Sequence, residues 1–155
     1  MKHHNKGFTI VELVTVMVVV GVLAAILIPR MMGTSWASTT YRQEVLSALR
    51  YAQKTAVSHR RLVCANVAGA NVTLQIAQDS GANACGLNMP SPDGRPYASQ
   101  NASVVAGGSM SGMLLFQPDG RVMRLVAGNP VVSTGTITIT GEASITIHGE
   151  TGYVQ

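Results

Sequence analysis

The run GFTIVELVTVMVVVGVLAAILIP, residues 7–29, decides how the chain is read. Before it stands a short polar, cationic stretch, Met1-Lys2-His3-His4-Asn5-Lys6. From Leu13 through Pro29 there is no charge, and Arg30 ends the run. Phe8 to Pro29 would span about 33 Å as a helix, which matches the hydrocarbon core of a bilayer. Positive charge ahead of the run keeps the amino terminus on the cytoplasmic side and sends the rest of the chain across. One residue does not suit a plain anchor. Glu12 puts a carboxylate inside the apolar helix, at a cost on the order of 3 kcal/mol on insertion scales, so it needs a partner. An ordinary secretory signal peptide would need a small-x-small cleavage site after the apolar stretch. Ala24-Ala25-Ile26 is only a fair match, and the run is long for such a signal.

The composition agrees with a chain partly in lipid. Of 155 residues, 46% are apolar and 12% charged, about half the charge of an ordinary soluble domain. The net charge of +4 is partly a matter of position, because Lys2 and Lys6 precede the apolar run. From Met31 onward there are eight Lys and Arg against six Asp and Glu, with no dense basic block. The two cysteines, Cys64 and Cys85, match neither a four-ligand zinc spacing nor a C-x-x-C pair. They fit one disulfide formed in an oxidising compartment, worth roughly 3 kcal/mol; two buried free thiols are the alternative.

Beyond Pro29 the period is helical. Tyr41, Val45, Ala48, Leu49, Ala52 and Ala56 recur every three or four residues, with Arg42, Arg50 and Lys54 off that face. The helix is predicted to run to His59-Arg60-Arg61, whose charge complements its dipole. From Leu62 the period becomes two. Segments 62–67 and 72–76 pair around Gly69. Segments 113–116 and 121–126 flank the turn Pro118-Asp119-Gly120. Segments 136–140 and 144–148 form a hairpin around Gly141-Glu142-Ala143, and Thr151-Gly152-Tyr153-Val154 closes the chain. Residues 77–103 are rich in Gly, Pro, Asn and Ser and read as a long loop that Cys85 would tether to the first strand. The predicted fold class is α+β. One long N-terminal helix, an anchor followed by an amphipathic half, packs on a C-terminal all-β head. The divisions are a leader at 1–7, a transmembrane helix at 8–29, an amphipathic helix at 30–61 and a β-rich head at 62–155.

Gly7-Phe8-Thr9-Ile10-Val11-Glu12-Leu13 resembles the prepilin cleavage and methylation motif of type IV pilins and type II secretion pseudopilins. The resemblance implies that a membrane aspartyl peptidase cuts between Gly7 and Phe8 and methylates the new amine of Phe8. It implies that Glu12 neutralises that amine as the subunit enters a filament. A buried carboxylate and a buried ammonium are each costly alone and tolerable together. Pro29 matches the family's helix-breaking proline. The β-rich layout, the stretch 51–57 with Arg60, and the Thr151-Gly152-Tyr153-Val154 ending resemble the GspH/FimT group of minor pilins and pseudopilins. The ending also resembles minor pilins of the mannose-sensitive haemagglutinin type. The implied function is a structural subunit of a type II secretion pseudopilus or a type IV pilus. Its implied partners are other pilin subunits, the prepilin peptidase/methyltransferase, an inner-membrane assembly platform and membrane lipid. The implied location is the inner membrane, single-pass, with the head periplasmic.

No catalytic constellation stands out. His59 and His148 lie apart from any paired carboxylate or serine motif. Gly107-Gly108-Ser109-Met110-Ser111-Gly112 lacks the Gly-Lys-Ser/Thr ending of a phosphate loop and reads as a flexible loop. Asp79, Asp93 and Asp119 sit in turns without EF-hand spacing. Asn71-Val72-Thr73 and Asn101-Ala102-Ser103 match the glycosylation acceptor pattern, which arises often by chance. No cofactor, metal site or enzyme activity is expected. The alternative function is a DNA-binding minor pilin, with Arg60, Arg61, Arg121 and Arg124, and also Arg95, as candidate phosphate contacts.

Overall fold

The computed structural model describes residues 9–31 and 34–155, with the helical side chains of 27–31 and 34 excepted. Helix α1 spans Ile10–Met31 and helix α2 spans Thr34–His59. Ten strands follow: β1 Val63–Ala68, β2 Asn71–Ile76, β3 Leu87–Asn88, β4 Tyr97–Ala98, β5 Ala106–Gly107, β6 Gly112–Phe116, β7 Val122–Val126, β8 Asn129–Val132, β9 Gly135–Ile139 and β10 Ile145–Ile147. The fold is the α+β arrangement the pattern predicts, with α2 laid on a β head.

The amphipathic face of α2 holds the head together. Tyr41, Val45, Ala48, Leu49, Ala52 and Ala56 are all buried. Alanine at 48, 52 and 56 lets the helix backbone come close to the sheet, so small residues on the helix meet larger ones below. The main sheet runs β3-β2-β1-β6-β7-β8, with β4 also on β2. In β1 and β2 the residues Val63, Ala65, Val67, Val72 and Leu74 join the α2 core. This follows from the period of two across an antiparallel pair. The other face of the sheet carries a small second core of Leu62, Cys64, Ala77 and Leu115, with Cys85 and Met123 against it. A three-stranded sheet, β10-β9-β5, buries Ile137, Ile139, Ile145 and Ile147. The Thr-Ile alternation of 136–140 and 144–148 thus places every isoleucine inward. A bridge between Gly69 and Ala106 joins the two sheets, and one between Ile147 and Val154 closes the chain.

Two expectations need correction, the helix end is fixed, and one strand is added. The helix ends at His59, the first residue of the predicted His59-Arg60-Arg61 end, because Arg60 takes a left-handed φ of 52° and the Arg61 N–H turns back to the Ala56 carbonyl at 3.2 Å. Residues 77–103 are not all loop, since β3 and β4 pair with the outer edge of β2. Gly107 to Gly112 is no flexible loop. Gly107 lies in β5, Gly112 opens β6, and Met110 between them is fully buried with its N–H on the Thr136 carbonyl at 3.0 Å. Gly108, at φ 100°, is required there, because a Cβ would meet the Thr136 carbonyl oxygen at 2.6 Å. Finally, β8 continues the sheet beyond β7 through the two-residue turn Ala127-Gly128.

Candidate assembly site

The motif residues Gly7 and Phe8 lie outside the described residues. The site therefore begins at Thr9. The Glu12 N–H donates to Thr9 Oγ1 at 3.2 Å, and the Leu13 N–H to the Thr9 carbonyl at 3.1 Å. Thr9 is thus the N-cap of α1, and Thr9-x-x-Glu12 has the spacing of a capping box. The sequence reading missed this second role, although the T-x-x-E signal was there to find. The carboxylate also sits in the first turn of α1, where the helix dipole favours negative charge. Thr15 returns its hydroxyl to the carbonyls of Val11 at 3.0 Å and Glu12 at 2.9 Å. A polar side chain satisfied by its own helix suits an apolar environment.

Around Glu12 the helix is apolar and uncovered on every side. Ile10 is 83% exposed, and the large apolar side chains from Leu13 to Leu23 are exposed as well. Glu12 itself is exposed, and among the described residues the sole ion pair is Arg121 with Asp119. Glu12 therefore has no cationic partner among them. The α1 backbone stays helical through Pro29 to Met31. Among the described residues no helix is long and apolar enough to cross a membrane; the α1 side chains described, 10–26, cover about 26 Å.

Cys64 and Cys85 form a disulfide, with 6.1 Å between their Cα atoms. The bond pins the loop after β2 to the face of β1 turned away from α2. The candidate arginines are not one patch. Val63 pairs with Phe116, and Phe116 with Val122, so Arg60, Arg61 and Arg121 share one end of the sheet. Arg121 is taken up by Asp119 at 2.6 Å. The side-chain hydrogen bond from Arg121 holds the Asp119 carboxyl below the usual carboxylate range. Arg124 donates to the Ser109 carbonyl. Arg95 lies toward the other end, before β4, whose Tyr97 pairs with Val72 beside the β1–β2 turn.

The remaining polar residues have local duties. His59 Nδ1 closes the last turn of α2 against the Thr55 carbonyl at 3.2 Å. The His148 ring lies 6.0 Å from that of Tyr153. Asp93 and Asp119 accept hydrogen bonds within their own turns. Among the described residues no group of three or more His, Cys, Asp or Glu is placed to hold a metal ion.

The prokaryotic N-terminal methylation motif matches residues 2–28. The fold resembles that of the Pseudomonas aeruginosa (strain PAO1) type IV minor pilin FimU in two crystal forms. Against the P21 form the TM-score is 0.54 at 18% identity, covering 76% of this chain and 86% of that one. Against the P65 form the TM-score is 0.51 at 18% identity, covering 76% and 90%. No curated protein sequence matches the chain. The chain thus carries the prokaryotic N-terminal methylation motif, and its fold is similar to that of a type IV minor pilin.

Proposed function

We propose that the protein is a minor subunit of a type IV pilus or of the related type II secretion pseudopilus, acting by assembly and not by catalysis. The observation that carries this reading is Glu12. Its carboxylate stands in the first turn of a helix whose large apolar side chains are exposed, with no cationic partner among the described residues. Such a helix needs lipid, then other helices, and such a carboxylate needs a cation at the same depth. Cleavage between Gly7 and Phe8 supplies that cation as the methylated Phe8 amine, on the same subunit or on its neighbour. Pairing then fixes the axial register of one subunit against the next. Pro29 lies where the helix leaves the membrane, and gives the anchor a point at which to adjust during packing. Before assembly the subunit sits in the inner membrane with its amino terminus cytoplasmic and its head periplasmic. The disulfide supports that placement, since such bonds persist in oxidising compartments.

The deciding experiment replaces Glu12 with alanine in cells. The variant should still be cleaved and inserted, yet fail to enter sheared filaments or to cross-link to other pilins. Normal incorporation would remove the pairing argument. Replacing Gly7 with a bulky residue should leave the leader uncut, seen as a heavier band. Deleting the gene separates the two systems: loss of surface pili marks the pilus, and loss of exoprotein release marks the pseudopilus.

A further inference from the structure

We propose that Trp36 is a lipid-contact residue, seated in the headgroup layer of the membrane that holds α1. The inference rests on the reading of α1 as a membrane anchor. Trp36 is the chain's single tryptophan, stands in the first turn of α2 and is 54% exposed. Burial assigns the sides of that helix. Ser38, Tyr41 and Val45 are buried, and Ala37 packs against the core. Trp36 lies about 140° round the helix from Tyr41. Gln43, two turns on, is exposed on the same side. The indole therefore stands on the face of α2 turned away from the sheet, and the core does not use it.

Its place in the chain says what covers it. Pro29 closes the apolar run seven residues before Trp36. Were the helix continued at its usual rise, the Trp36 Cα would stand about 10 Å beyond the hydrocarbon edge. A helical side chain leans back toward its own amino terminus, so the indole reaches down toward the lipid from there. The headgroup layer on each side of a bilayer is roughly 5–7 Å deep, which the ring meets. Tryptophan suits that depth, with an apolar ring for the acyl boundary and an N–H for water and lipid oxygens. The surrounding chain fits the same layer. From Met31 through Tyr41 there is no charged residue, and five of those eleven residues carry serine or threonine hydroxyls. Arg30 and Arg42 bracket the stretch. The β9–β10 turn lies at this end of α2, where Arg42 Nε donates to the Ala143 carbonyl at 2.8 Å. The turn's carboxylate, Glu142, is not bare. It accepts from the Thr39 hydroxyl at 2.6 Å and the Ser38 hydroxyl at 3.3 Å, which lowers the cost of holding a charge beside lipid. The next acid on α2, Glu44, stands two turns beyond Trp36, about 12 Å further from the anchor along the helix.

The full-length protein in vesicles of phosphatidylethanolamine and phosphatidylglycerol tests this, because Trp36 is the sole source of indole fluorescence. Flotation with the vesicles, resistant to carbonate, checks the anchor first. Trp36 emission should then lie at shorter wavelength than that of N-acetyltryptophanamide in buffer, with quenching by acrylamide weaker by several-fold. A nitroxide on the lipid headgroup should quench it more strongly than one near the end of the acyl chain. A protein that does not float loses the anchor and this contact together. A protein that floats while Trp36 stays open to acrylamide and insensitive to both nitroxides keeps the anchor and overturns the contact. Stronger quenching from the acyl end overturns the headgroup placement. A blue shift that appears only when other pilins are added to the vesicles also overturns the proposal, and assigns Trp36 to a contact between subunits.

Discussion

The Tyr41 hydroxyl donates to the Gly69 carbonyl at 2.9 Å, and the same carbonyl accepts the Ala106 N–H at 2.7 Å. One backbone oxygen in the β1–β2 turn thereby ties together α2, the main sheet and the start of the smaller one. Tyr41 is 1% exposed, and burial is the first reason that its pKa is pushed up to about 12, with the Glu44 charge second. The sign follows from linkage. The unfolded chain ionises near pH 10, and the folded one holds its proton to about 12. The hydroxyl's contribution is therefore whole below pH 10 and is lost as pH rises from there through 12. Unfolding by urea should show a fall on the order of 2–3 kcal/mol across that window. Tyr41→Phe should cost about 1 kcal/mol at pH 8, where the hydrogen bond is lost, and should flatten the alkaline fall. An equally steep fall in the phenylalanine variant would assign it to other groups.

The disulfide predicts a second, separate effect. Cys64 and Cys85 are 21 residues apart in sequence, and closing a loop of that size is worth about 3 kcal/mol in the chain-entropy model. Replacing both with alanine should lower stability by about that amount. Hydrogen exchange should rise between Ala77 and Gly86, where the small second core depends on the bond, and much less in β9 and β10. Uniform loosening of the whole head would instead mean that the bond organises both cores.

How much of this was readable from residues alone depended on whether the signal was local. The face of α2 was legible because Tyr41 to Ala56 repeats within single helical turns. The β9–β10 hairpin was legible because threonine and isoleucine alternate strictly. Strand β8 was not, since Asn129-Pro130-Val131 is exposed on both sides and shows no alternation. Strands β3, β4 and β5 have two residues each and exist only through partners far along the chain. At the assembly site, Gly7, Phe8 and Glu12 stood out as a motif. The cap made by Thr9 was hidden behind it, because the same four residues answer two physical demands.

The β7–β8 turn offers a stabilising substitution. Ala127 and Gly128 have φ of 49° and 84°, the left-handed pair that a type I′ hairpin turn requires. Alanine holds that conformation against its Cβ, at a cost on the order of 1 kcal/mol. Asparagine tolerates it far better, and Asn-Gly is the preferred pair. Ala127→Asn should raise stability by about 0.5–1 kcal/mol, and Ala127→Val should lower it by more. Thermal unfolding followed by circular dichroism reads both; no gain with asparagine would mean that the hairpin opens before the cooperative transition.

Arg50 makes the last link, between the helix and the end of the chain. Its Nε and Nη2 both donate to the Val154 carbonyl, at 3.2 and 3.0 Å. Gln53, one turn on, donates to the Thr151 carbonyl at 2.9 Å. Val154 is buried, and Gln155 exchanges backbone hydrogen bonds with Thr146 beside it. The terminal segment is thus bound to β10 on one side and to α2 on the other. Charged donors on a carbonyl are the stronger kind of hydrogen bond, and losing them leaves that carbonyl short of partners. Exposure of the arginine to solvent trims the effect, so Arg50→Ala should cost about 1–2 kcal/mol. Arg50→Lys keeps the charge but not the planar fork, and should recover only part of it. Carboxypeptidase digestion separates the clamp from general destabilisation. If Arg50 holds the terminus, the alanine variant loses its last residues at denaturant concentrations where α2 and β9 remain folded. If digestion tracks global unfolding alone, the terminus is held by its pairing with β10 and the arginine is dispensable.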